Sequence, residues 1–143
     1  MIIRQIKKVS LLIICWLCTL TAMAQQNPTA VYHSKKVYFA KPHPKNGSSE
    51  PYKELENGYG MYLFAIYTNH IIVHGTETID MKIVSQKEHK GETKYNLTDD
   101  KGRHFELYVN AEDKIKSSTT INYIAFDNNY VPVATYMMVC EKH

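Results

Sequence analysis

Two histidines, His70 and His74, flank Ile71, Ile72 and Val73. On a helix, that spacing would turn both imidazoles toward one zinc or copper ion. The residues between them are β-branched and favour a strand. There the two side chains share a face but stand ~13 Å apart at ~3.3 Å per residue. One metal ion would then need a sharp bend, and no Cys or carboxylate at ligand spacing completes the set. Cys140 has no nucleophile signature around it and reads as a buried small hydrophobe. Asp99-Asp100 and Glu112-Asp113 are the dense carboxylate pairs. Glycosidic chemistry needs one acid of such a pair in a dry pocket. Both pairs instead stand in turn-forming surroundings, where Asp serves the backbone. Gly58-Tyr59-Gly60 is too short for a phosphate loop and lacks the following Lys. No nucleophile elbow, zinc-protease motif or calcium loop occurs. A hydrolase is therefore the least favoured reading. The chain reads as a non-enzyme, with no catalytic, cofactor-binding or metal-binding residue assigned.

Tyrosine is the residue type in excess, with eleven in the chain. Its ring gives a large rigid contact and its hydroxyl a polar tip, which suits binding surfaces as well as half-buried strands. Tyr62 and Tyr67 are five residues apart and fall on opposite faces of one strand. Tyr108 alternates outward from Phe105, Leu107 and Val109. These three tyrosines are the candidates for a binding surface.

The elements that must position these residues begin after residue 24. Arg4, Lys7 and Lys8 precede the apolar run LLIICWLCTL, which is followed by Ala22-Met23-Ala24. A basic start, a short apolar stretch and small residues at −3 and −1 describe a secretory signal peptide over residues 1–24. The apolar run is shorter than the ~20 residues of a membrane span. Lys and Arg outnumber Asp and Glu by 17 to 14, but three of the basic residues lie in this segment, leaving 14 of each beyond it. The basic balance therefore belongs to the signal, and no nucleic-acid partner is implied. The only Trp and two of the three Cys lie there too, so Cys140 has no internal partner for a disulfide. The remaining 119 residues are long enough for one domain on a hydrophobic core alone.

Within residues 25–143, a single β-domain is expected, with 25–58 partly loop. Residues 25–34 read as a loose lead-in and 35–41 as a short strand. The Pro-, Gly- and Ser-rich 42–51 reads as a loop, and 52–58 as one helical turn. Residues 59–68 (YGMYLFAIYT) form a continuous apolar strand, and Asn69-His70 either turns the chain into 71–73 or bends a strand that continues. Residues 78–85, 93–97 and 104–109 alternate apolar and polar with period two. Gly91 and Asp99-Asp100-Lys101-Gly102 join them, giving a three-stranded meander. Strands 119–126 and 131–140 follow, separated by the turn Asp127-Asn128-Asn129. Pro132 suggests an edge position for the last strand, and residues 141–143 a solvated tail. Seven to eight strands at regular spacing give an all-β small antiparallel barrel or two-sheet sandwich with a central meander.

The alternation and tight hairpins of residues 78–109 resemble, in pattern only, the calycin type of small barrel seen in lipocalin-like exported domains. The Gly and Trp signature at the first lipocalin strand is absent, so the resemblance assigns no residue a role. The function expected is non-catalytic binding of a protein partner, in the periplasm or outside the cell. The alternative is a lipocalin-like carrier of a small apolar ligand. No cofactor and no stable membrane span after signal cleavage are expected.

Overall fold

The computed structural model describes residues 27–42 and 51–143. The expected signal peptide, residues 1–24, and most of the Pro-rich loop lie outside the described residues. All nine elements are strands: β1 Ala30–Ala40, β2 Lys53–Glu54, β3 Leu63–Ile66, β4 His70–His74, β5 Thr78–His89, β6 Glu92–Thr98, β7 His104–Asn110, β8 Thr119–Phe126 and β9 Pro132–Lys142. Every pairing is antiparallel, and β3 to β9 pair in chain order. β9 then pairs with β1, from Tyr32↔Lys142 to Ala40↔Thr135, and closes the sheet into an eight-stranded barrel. β2 is the ninth strand, a short addition to the far half of β1 at Tyr38 and Phe39. Closure settles the choice between barrel and sandwich and removes the sheet edges that invite aggregation.

The alternating residues explain the interior. Met81, Leu97, Phe105, Leu107, Val109, Ile121, Tyr123, Met138 and Cys140 come from β5 to β9 and all point inward. Val37, Phe64, Ile71 and Val73 complete the packing from β1, β3 and β4. An eight-stranded barrel is just wide enough for side chains to fill, and the buried side chains of this one form a single cluster. Cys140 is fully buried there, as expected, and burial pushes its thiol up to about 12.

Five expectations are corrected. β1 starts at Ala30, not Lys35, because Tyr32 and Ser34 already alternate inward; a bulge between Ser34 and Lys36 then hides the period from the sequence. Residues 52–58 form no helical turn but β2 and a close-packed connection. Ser34 anchors it: its buried hydroxyl donates to the Gly58 carbonyl at 2.7 Å and accepts from the Tyr62 amide at 3.0 Å. A Cβ on Gly58 would lie 2.8 Å from the Val37 nitrogen, so only Gly permits that approach. The apolar run 59–68 is a strand only at Leu63–Ile66. β9 is no edge strand, since it pairs on both sides, and Pro132 is tolerated as its first residue. Finally, β9 continues to Lys142, and the His143 ring meets His33 with 2.6 Å between ring nitrogens.

Candidate functional site at one end of the barrel

Three hairpin turns, β4–β5, β6–β7 and β8–β9, meet at the same end of the barrel. Two of them share one construction. In β6–β7, the Asp99 amide donates to the Arg103 carbonyl at 3.1 Å and the Gly102 amide to the Asp99 carbonyl at 3.2 Å. The Asp99 carboxylate accepts from the Lys101 and Arg103 amides at 3.1 and 2.8 Å. In β8–β9, the Asp127 amide donates to the Val131 carbonyl at 2.9 Å and the Tyr130 amide to the Asp127 carbonyl at 3.1 Å. The Asp127 carboxylate accepts from the Asn129 and Val131 amides at 2.8 and 3.0 Å. In both turns the fourth residue is left-handed, Gly102 at φ 74° and Tyr130 at φ 59°.

The Asp99 turn aims Arg103 across the barrel mouth. Its Nε donates to Asp99 at 2.6 Å, and Nη1 donates to Glu77 of the β4–β5 turn at 3.3 Å. Burial alone would raise the Asp99 carboxyl, but hydrogen bonds from Arg103 and its charge outweigh that and hold it below the usual 3.8. Beneath Arg103 lies Phe105, its ring 5.7 Å from the guanidinium carbon. A cleft of about 210 Å³ opens here, with Tyr62, Phe105, Tyr123 and Tyr136 among its walls. Tyr62 and Tyr136 have ring centroids 5.6 Å apart, Tyr123 and Tyr136 6.1 Å, and Phe105 and Tyr123 5.7 Å. Burial, then the neighbouring Tyr136, raises the Tyr62 phenol, and burial raises that of Tyr123. Both hydroxyls therefore stay protonated. Gly75 makes room for the Tyr62 ring, because a Cβ there would lie 2.6 Å from Cε1.

A second groove of about 260 Å³ runs over the outer face and includes Val84, Asn96, His104, Glu106 and Tyr130. It shares Phe105 and Phe126 with the mouth cleft, so the two adjoin. Tyr130 stacks on His104 with centroids 4.0 Å apart, yet remains 66% exposed. Among the described residues, seven large apolar side chains are exposed, and three of them, Val84, Tyr130 and Val133, line these two depressions, with Val131 next to Tyr130 in the chain. This is a patch rather than scatter.

The residues singled out from the sequence are dispersed by comparison. Tyr62 is buried in the mouth wall. Tyr67 is half-buried and stacks on His70, with centroids 4.4 Å apart. Tyr108 lies on the outer face, where its hydroxyl donates to Glu106 at 2.6 Å beside Lys94. His70 bonds Asp80 at 2.8 Å and His74 bonds Thr78 at 3.1 Å, each with a separate partner. Among the described residues, no group of three or more His, Cys, Asp or Glu is placed to hold a metal ion. No described helix is long and apolar enough to cross a membrane. Arg103, Phe105, Tyr123, Tyr130 and Tyr136 are members that the sequence reading did not single out. The available signal was the repeated Asp three residues before the left-handed position, with Gly in one turn and Tyr in the other. Comparison with known families, curated proteins and solved structures finds no match to this chain.

Proposed function

We propose that the protein is an exported, non-catalytic binding protein whose ligand is another protein, held at the β8–β9 end of the barrel. The observation that carries this reading is the exposed Val133 at the aromatic mouth, whose lining includes Arg103 and Glu77, with the exposed Tyr130 and Val84 in the adjoining groove. An aromatic centre with a polar rim is the usual anatomy of a binding face. Export rests on the basic-apolar-small order of residues 1–24. The single cluster of buried side chains in the interior weighs against a ligand carried inside the barrel, as a lipocalin carries one.

A photo-reactive residue at Val131 tests the reading when the protein is expressed in an exporting host. Irradiation should give discrete protein adducts from position 131 and none from Ile115, which is 96% exposed in the connection at the other end of the barrel. The same adducts from both positions would defeat the reading.

A further inference from the structure

At the end of the barrel away from the mouth, β1 begins and β9 ends, and two imidazoles meet across the seam that closes the sheet. His33 Nδ1 lies 2.6 Å from His143 Nε2. Backbone pairing sets this approach. His33 stands opposite Glu141, and the His143 amide donates to the Val31 carbonyl at 2.9 Å. The Tyr59 ring packs edge-on against the His33 ring, with centroids 5.6 Å apart. The His33 side chain is only 14% exposed. Its Nε2 is buried without a hydrogen-bond partner and faces the Glu141 carboxylate at 3.6 Å.

We propose that this pair binds a divalent transition-metal ion of the zinc, copper or nickel class, through His33 Nδ1 and His143 Nε2. Imidazole nitrogen is a ligand that suits all three ions. Two nitrogens at ~2.0–2.1 Å from one tetrahedral zinc ion stand ~3.3 Å apart. The rings reach that spacing by parting a fraction of an ångström, and the exposed His143 is free to give it.

The second nitrogen of His33 fits the same role. A ligating His donates its other N–H to a carboxylate or carbonyl, which fixes the tautomer and the ring orientation. With Nδ1 on the metal, the His33 proton sits on Nε2, the atom that faces Glu141. Glu141 thus orients the ring from its far side and is not itself a ligand. This agrees with the absence, among the described residues, of a group of three or more ligating side chains. Water completes the coordination, so the ion exchanges with solvent. His70 and His74 offer no such pair, because they bond Asp80 and Thr78 separately. An ion at His33 and His143 ties β1 to β9 where the barrel closes, so binding it stabilises the fold by mass action. The site is independent of the binding face at the mouth.

Zinc and copper titrations of the protein, purified without a histidine tag, test the proposal. Zn²⁺ up to about 1 mM, a concentration that would half-saturate even a weak site, should raise the thermal midpoint. The rise should vanish in His33→Gln and in His143→Ala, and persist when His70 and His74 are both replaced by Ala. Glu141→Gln should weaken zinc binding about tenfold. In the wild type, substoichiometric Cu²⁺ should broaden the NMR signals of Val31, His33 and His143 first, a readout that needs no variant to fold. No zinc effect, a rise that survives His143→Ala, or copper broadening centred on His70, His89 or His104 overturns the proposal.

Discussion

The β6–β7 and β8–β9 turns are built on one plan and put to different uses. Each is closed by an Asp whose carboxylate accepts two amides, and each ends on a left-handed residue. In the first, the Asp is buried, the left-handed residue is Gly and the next residue, Arg103, turns inward over the mouth. In the second, the Asp is half-exposed, the left-handed residue is Tyr130 and its ring faces outward. The backbone requirement is the same, so the side-chain difference is not a turn requirement. One turn holds the rim of a hole, and the other displays a ring beside it.

The largest effect should come from removing the inward Asp. In Asp99→Ala, two amides lose their acceptor and the Arg103 guanidinium loses its closest partner. Hydrogen bonds to charged groups are worth ~1.5–3 kcal/mol each, so unfolding free energy should fall by about 2–3 kcal/mol in urea titrations. The matching Asp127→Ala removes only turn bonds near solvent and should lose about 1 kcal/mol. Equal losses would mean that the two turns do the same structural work, and the contrast drawn here would fail.

Acid titration separates the turns a second way. The folded Asp99 carboxyl lies below its ordinary value of 3.8, with its desolvation outweighed by Arg103. A group depressed on folding stabilises fully above its unfolded value. That stability is lost as pH falls from 3.8 through the lower folded value. The wild type should therefore lose stability across that acid window more steeply than Asp99→Ala. Parallel curves from urea midpoints at successive pH values would show that Arg103 gives Asp99 no net preference for the ionised form.

Part of this arrangement was legible in the sequence. The period-two alternation of β5 to β7 and the Asp- and Gly-containing turns identify the meander, because neighbouring strands and tight turns are local features. Closure of β1 on β9 is not local. It joins residues about a hundred positions apart, and the bulge at Ser34/Lys36 breaks the alternation that would mark β1 as a long strand. The candidate site was less legible still. Tyrosine content drew attention to Tyr62, Tyr67 and Tyr108, but only barrel closure decides which rings meet. It brings Tyr62 from just before β3, Tyr123 from β8 and Tyr136 from β9 to one mouth, and leaves Tyr67 and Tyr108 elsewhere.

Exchanging the left-handed residues sharpens the comparison at smaller scale. A Cβ at Gly102 meets nothing within 4 Å, so Gly102→Tyr is opposed by backbone conformation and not by space. The left-handed conformation costs a side chain ~1–2 kcal/mol, offset in part by the lower entropy of the unfolded chain. A net loss of about 1 kcal/mol should appear in thermal unfolding. A larger loss would show that this turn, unlike its sister, cannot display a ring.

Tyr130→Asn should be the mildest change to the fold. Asn tolerates the left-handed conformation better than Tyr, which removes strain. It also removes the stack on His104, worth ~0.5–1.5 kcal/mol for an aromatic pair. These effects oppose each other, and unfolding free energy should stay within about 0.5 kcal/mol of the wild type. Binding at the face should respond differently, with at least a tenfold loss of affinity, about 1.4 kcal/mol, as expected of an exposed aromatic anchor. A residue that fold stability barely notices and binding requires is held for binding. If Tyr130→Asn destabilised the barrel as much as Asp99→Ala does, the ring would belong to the packing of the outer face, and its exposure would have no functional meaning.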